Sequence, residues 1–203
     1  MKVRLLTTVE HLDAMEYNAA YAMLVCHANT ERLEHYPARD FIERAIKAEH
    51  WTILEHITLT YEVNKLSRAC LQELSRHRFL SLSVESTRHT LGKQLKSDNF
   101  HLLLPENMDK ELEIIILDSL HLIFNYVKEN PDTQNDVLKY AIPECVCTNL
   151  VLTANVSELR HIIELRTAPA ALEEFQQLAH EFVNVLPSRF KYLLKDCEYK
   201  NEK

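Results

Sequence analysis

The chain has 203 residues and a single glycine, Gly92. Glycine lets a backbone approach a phosphate closely and take up the left-handed conformations of tight loops. With only one, neither a P-loop nor a GxGxxG dinucleotide fingerprint can be built, so two widespread nucleotide-binding folds are excluded. Any nucleotide bound here has to be gripped by side chains and helix ends.

The remaining composition is that of an ordinary globular protein, 46% hydrophobic and 26% charged, long enough to close a core and read as one domain over residues 1–203. A formal net charge of −7 argues against a non-specific nucleic-acid binder, which works by neutralising many phosphates with clustered Lys and Arg. It leaves room for a local basic site that takes one small anion. Residues 1–10 alternate like a strand and lack the features of a signal peptide, and no apolar run reaches the roughly 20 residues that span a bilayer. The expectation is a cytoplasmic protein with no membrane partner. Cys26, Cys70, Cys145, Cys147 and Cys197 are odd in number and form no CxxC pair, which fits reduced thiols, most of them small buried hydrophobes.

Val3, Leu5 and Thr7 alternate with Arg4, Leu6 and Thr8, which predicts a first strand, and residues 13–28 read as a helix. Pro37 opens a second helix with Phe41, Ile42, Ala45 and Ile46 at helical spacing, and residues 57–63 switch to period two. A third helix is predicted over 65–78, and 79–96, with Ser81, Ser83, Ser86, Thr87 and Gly92, reads mostly as loop. Residues 100–104 are a short strand candidate. The long helix over 109–130 carries a broad apolar stripe that suits a core or subunit interface, and Pro131 terminates it. Residues 145–154 read as a strand, followed by Asn155 as an N-cap with Glu158 three residues on. Helices over 156–166 and 170–186 and a short tail after Pro187 complete the chain. The sum is an α+β fold, mainly helical, with a small, mostly antiparallel sheet.

Arg76, His77 and Arg78 fall where the third helix should end, and cations at a helix C-terminus are by themselves only a favourable cap. The continuation through Ser81, Ser86 and Arg88 adds hydroxyls and a third guanidinium within one short stretch, which is what phosphate binding without glycine requires. The resulting pattern, RHRxxSxxxxSxR, resembles the hallmark of flavin-dependent thymidylate synthases. Two flanking segments agree. His50-Trp51-Thr52-Ile53-Leu54-Glu55-His56 resembles the family's flavin-contacting HxTxxEH segment, and the stretch from Asn155 to Leu165-Arg166 resembles its segment ending in Leu-Arg. The resemblance covers about residues 37–175. Read without it, His50 and His56 are two ordinary histidines, and Arg166 is a cation near a helix terminus.

The resemblance implies a homotetramer with shared active sites, in which reduced FAD, deoxyuridylate (dUMP) and methylenetetrahydrofolate meet at subunit junctions and NADPH supplies electrons. Carried over residue by residue, Glu73, Arg76, Glu85, Ser86, Thr87, Arg88 and Lys139 hold dUMP. His50, Thr52, Arg76, His77, Arg78, Asn155 and His161 contact FAD, and Glu55 and His56 brace the site. Arg166 is the catalytic residue, binding the uracil ring and stabilising negative charge on it as C5 becomes nucleophilic. The chain departs from the family's usual residues at Glu73, Val84, His89, Lys139, Ala170 and Leu172. No metal site is expected. Two other readings use different residues: a metal-dependent nucleotide hydrolase with Glu43, Glu49 and Glu55 as ligands, and a helical interaction module docking through residues 109–130.

Overall fold

The first reversal of the chain falls at Thr8, whose extended backbone and hydroxyl, accepting from the His11 N–H, end one element and cap the next. The computed structural model describes residues 1–97 and 100–199. Strand β1 (Lys2–Leu5) leads into α1 (Val9–Val25), which therefore begins four residues before the apolar periodicity predicts. Then come α2 (Ala38–Lys47), the single turn α3 (Trp51–Leu54) and β2 (Thr58–Ser67). Further along are α4 (Arg68–Leu74), β3 (Leu80–Val84), α5 (Thr87–Leu95), α6 (Lys110–Glu129) and α7 (Asn135–Leu138). β4 (Cys147–Asn155), α8 (Val156–Arg166) and α9 (Glu173–Asn184) follow, and the tail after Pro187 is 3-10 helical over Ser188–Leu193. The class is the expected one: mainly helical, with a small antiparallel sheet ordered β1-β2-β4-β3.

Two segments differ from the sequence reading, each for a local reason. The helix predicted over 65–78 is confined to Arg68–Leu74, because β2 runs on to Ser67, whose hydroxyl then caps α4 by accepting from the Cys70 N–H. Lys65 sits there with φ 61°, its N–H donating to Asn149 Oδ1 at 3.0 Å. The predicted loop over 79–96 is instead a strand and a helix. β3 is an edge strand whose Ser81 and Ser83 face outward, and α5 buries little more than Leu91 and Leu95, so neither leaves a strong periodicity. The strand candidate over 100–104 is reduced to an isolated antiparallel bridge between Leu102 and Val146.

The chain divides into two compact units. The first comprises Met1–Lys2, Val63–Arg76 and Ser83–Leu150. Its core gathers Leu91, Leu95, Val127 and Leu138, with Phe100 and Phe124 meeting edge to face beside them. Most apolar residues of α6 stay outside this core: only Leu120 and Val127 are buried, while Ile114, Ile115 and Leu122 are exposed. The second unit comprises Val3–Glu62, His77–Leu82 and Val151–Lys203. Alternation along β2 buries Leu59 and Tyr61, and the Tyr61 ring stacks at a tilt on Phe182 while its hydroxyl donates to the Phe182 carbonyl at 3.1 Å. Burial on this scale raises the Tyr61 pKa and keeps the phenol neutral.

Candidate functional site

In the first unit the basic stretch is organised around α5 and α7. Ser86 occupies the N-cap position of α5 with extended backbone; its carbonyl accepts from the His89 and Thr90 N–H groups, while its hydroxyl makes no capping bond. The first turn of α5 contains no acidic residue, so the positive end of the helix is unopposed within it. Arg88 Nε lies 3.1 Å from one oxygen of Asp136, and Lys139 Nζ lies 3.2 Å from the other. The hydrogen bond from Lys139 and the charge of Arg88 hold the Asp136 carboxyl below its ordinary range. Thr87 and Lys139 line one cleft together with Arg68, Glu85, Thr90, Gln94 and Thr148. Glu85 is committed to bracing that cleft: its carboxylate accepts from Gln94 Nε2 at 2.7 Å and from Asn149 Nδ2 at 2.6 Å. Glu73 lies half-buried on α4, and Arg76 is exposed just beyond it.

The second unit holds the other expected residues. α8 starts where Asn155 Oδ1 accepts from the Glu158 N–H at 2.8 Å and Val156 N–H donates to the Ile57 carbonyl. From this helix His161 points outward, exposed, and Arg166 is half-buried. Arg166 Nε donates to His77 Nε2 at 3.2 Å, and its guanidinium lies over the Phe175 ring, 4.7 Å from the centroid. A ring nitrogen that accepts must be unprotonated, so His77 carries its hydrogen on Nδ1, which faces Glu158 Oε1 at 3.6 Å. Burial, then the charges of Arg166 and His161, push the His77 pKa down to about 4, so the imidazole is neutral at physiological pH. Burial raises the Glu158 pKa, with His161 opposing. His77 is thus turned inward, whereas Arg78, the motif's second arginine, is exposed. His50 and Thr52 are exposed at the start of α3, next to Trp51, whose ring packs under the Arg160 guanidinium. Arg160 is itself held by a bidentate pair with Asp196. Glu55 and His56, expected as braces, have exposed side chains.

Comparison with known proteins identifies the family of the chain. Residues 7–189 match the family described as thymidylate synthase complementing protein. The flavin-dependent thymidylate synthase of Helicobacter pylori strain J99 is 34% identical over 174 residues, covering 78% of this chain and 82% of that one. That of Wolinella succinogenes is 34% identical over 184 residues, covering 86% and 90%. The chain belongs to the flavin-dependent thymidylate synthase family. A crystal structure of the Helicobacter pylori flavin-dependent thymidylate synthase, complexed with FAD and dUMP, superposes with a TM-score of 0.84 at 28% identity, covering 98% of this chain and all of that one.

For a flavin-dependent thymidylate synthase, two features of the cleft escaped the sequence. Arg68 lines it from the first position of α4, half-buried, and no carboxylate is within ion-pairing distance among the described residues. Its only signal was a cation at a strand-to-helix junction eight residues before Arg76. Cys147 also lines the cleft, from the start of β4. The carboxylates of the rival hydrolase reading do not converge: Glu43 is tied to Arg39 at 2.7 Å, and Glu49 and Glu55 are exposed. Among the described residues no group of three His, Cys, Asp or Glu side chains is placed to hold a metal ion, and no helix is long and apolar enough to cross a membrane.

Proposed function

We propose that this chain converts dUMP to dTMP by reductive methylation, with methylenetetrahydrofolate as carbon donor and FAD, kept reduced by NADPH, as hydride source. The observation that carries the reading is the convergence of Arg68, Thr87 and Lys139 on one cleft, with Arg88 beside Lys139 on Asp136, in a chain of this family. Arg88, Lys139 and Arg68 supply the positive charge for the nucleotide phosphate, and the Ser86 and Thr87 hydroxyls with the first amides of α5 supply neutral donors. Lysine at 139 brings charge without a bidentate fork, so the orientation of the phosphate falls to the arginines. Glu73, Arg76 and Glu85 complete the dUMP set, Glu85 acting chiefly through Gln94 and Asn149.

Arg166 is the catalytic residue. Its guanidinium, fixed by His77 and Phe175, stabilises the negative charge that spreads over the uracil ring as C5 becomes nucleophilic. The exposed residues Arg76, Arg78, His50, Thr52 and His161 have the chemistry to hold FAD, offering cations to a pyrophosphate and hydrogen bonds to a heteroaromatic ring. When bound, FAD supplies the hydride. Asn155 keeps its amide NH₂ for the same task, its oxygen being used by the helix cap, and His77 serves by orienting Arg166. Ser86 acts as a binder, since a nucleophilic serine needs a histidine base beside it and Ser86 is set among cations. The exposed apolar side of α6 supports assembly into the homotetramer with shared sites, and cysteines held outside disulfides suit the cytoplasm. The test is direct. The purified protein should be yellow, and its oxidation of NADPH should respond to dUMP; a colourless protein that takes up no flavin when supplied with it, and ignores dUMP, would refute the reading.

A further inference from the structure

We propose that Asn135 is a positioning residue for the nucleotide phosphate: by inserting its carboxamide into α5 at Gly92, it fixes Arg88 and Lys139 as one anion-binding pair. The inference rests on the reading of this cleft as the dUMP site. Asn135 Oδ1 accepts from the Gly92 N–H at 3.0 Å, and Asn135 Nδ2 donates to the Arg88 carbonyl at 2.7 Å. Those two backbone groups, four residues apart, lie one helical turn from each other in α5. The Asn135 side chain, at the start of α7, bonds to both. The backbone of α7 is thereby tied to the same turn of α5 that carries Arg88.

The identity of residue 92 makes the insertion possible. A Cβ at that position would lie 2.7 Å from Asn135 Oδ1, closer than carbon and oxygen can approach without displacement. Gly92 does not have a positive φ, so no turn demands glycine there, and glycine within a helix is unfavourable relative to alanine. The only glycine of the chain is therefore explained by the approach of Asn135. The next residue, Asp136, accepts from both Arg88 Nε and Lys139 Nζ. Anchoring Asn135 places Asp136, and Asp136 spaces the two cations. A lysine ammonium has a flexible stem and no fixed fork, so its direction has to come from its surroundings. The tether supplies that direction, and its contribution belongs to phosphate binding rather than to the chemical step.

Asn135→Ala and Gly92→Ala break the tether from opposite sides in the flavin-loaded enzyme. Each should raise KM for dUMP about tenfold with kcat within about twofold of wild type. Each should weaken inhibition by inorganic phosphate in parallel, while leaving inhibition by deoxyuridine, which lacks the phosphate, unchanged. The double variant should be no worse than either single one, because the methyl group that Gly92→Ala adds has room once the Asn135 carboxamide is gone. A role confined to packing would lower the melting temperature and leave these constants alone. Unchanged KM and phosphate inhibition in folded Asn135→Ala, where Arg88→Ala and Lys139→Ala raise KM, would overturn the tether and leave the dUMP site standing. If Arg88→Ala and Lys139→Ala also leave KM unchanged, the site reading and the tether fall together. Should Asn135→Ala not fold, Gly92→Ala and Asn135→Asp, which keeps the acceptor and loses the donor, decide in its place.

Discussion

Among the contacts that direct Arg166 are the Nε2 lone pair of His77 and the face of Phe175. A neutral acceptor orients a guanidinium without itself neutralising it, which suits the proposed role of Arg166 in stabilising charge on the substrate ring. His77→Ala removes that acceptor and should lower kcat/KM about tenfold, the value of one hydrogen bond expressed in the transition state. His77→Gln, whose amide oxygen can accept in the same place, should recover part of the loss; equal rates for wild type and alanine variant would show that Arg166 needs no such guide. The same histidine links stability to pH. Its pKa is about 4 when folded, against an ordinary 6.5, so between those values the unfolded chain binds a proton that the folded chain refuses. The contribution is complete above pH 6.5, falls as the pH drops and is lost by about pH 4. Unfolding free energies across that window should decline more for wild type than for His77→Gln, by on the order of 2 kcal/mol. Parallel curves would contradict the buried neutral imidazole.

At the level of elements, the junction of β4 and α8 sets the position of every site residue on that helix. Asn155 caps it, and the capped Glu158 N–H is one of the donors a helix start leaves without an internal partner. Asn155→Ala should cost about 1 kcal/mol, a fall of about 2–4 °C in the melting temperature of a chain this size. Asn155→Ser keeps a good cap and should restore stability. If flavin affinity falls with serine as well, the amide is a direct flavin contact; if it recovers with stability, Asn155 acts only through the helix. This junction was legible because Asn155 and Glu158 form a local pattern, and the α8 boundaries agree with the sequence reading. β3 and α5 were not, since an edge strand and a mostly solvated helix bury too few residues for a period to show. The motif was legible through spacing, but its pairings were not: His77 meets Arg166, and Gly92 meets Asn135, far along the chain. Long-range contacts of that kind leave no local mark, which is why neither pairing could be read from the sequence.

For the molecule as a whole, the informative element is α6. A helix of 20 residues that buries only Leu120 and Val127 while exposing Leu112, Ile114, Ile115, Leu117, Leu122 and Tyr126 presents an apolar surface of the kind that marks an interaction face. Ile115 and Leu122 lie seven residues apart, two turns along one side, at 57% and 70% exposure. Covering what remains exposed of each with another subunit is worth about 1–2 kcal/mol, and a symmetric contact counts every such residue twice. A carboxylate there would have to be desolvated against an apolar partner, so Ile115→Glu and Leu122→Glu should convert the proposed tetramer into smaller species, measured by light scattering at a fixed protein concentration. Because the sites are proposed to be shared between subunits, bound flavin should be lost in proportion as the assembly dissociates. Dissociated subunits that keep their full flavin content and turn over dUMP would show that each chain builds a complete site alone. A tetramer undisturbed by either glutamate would place the interface on another face and leave the exposed side of α6 without a role in assembly.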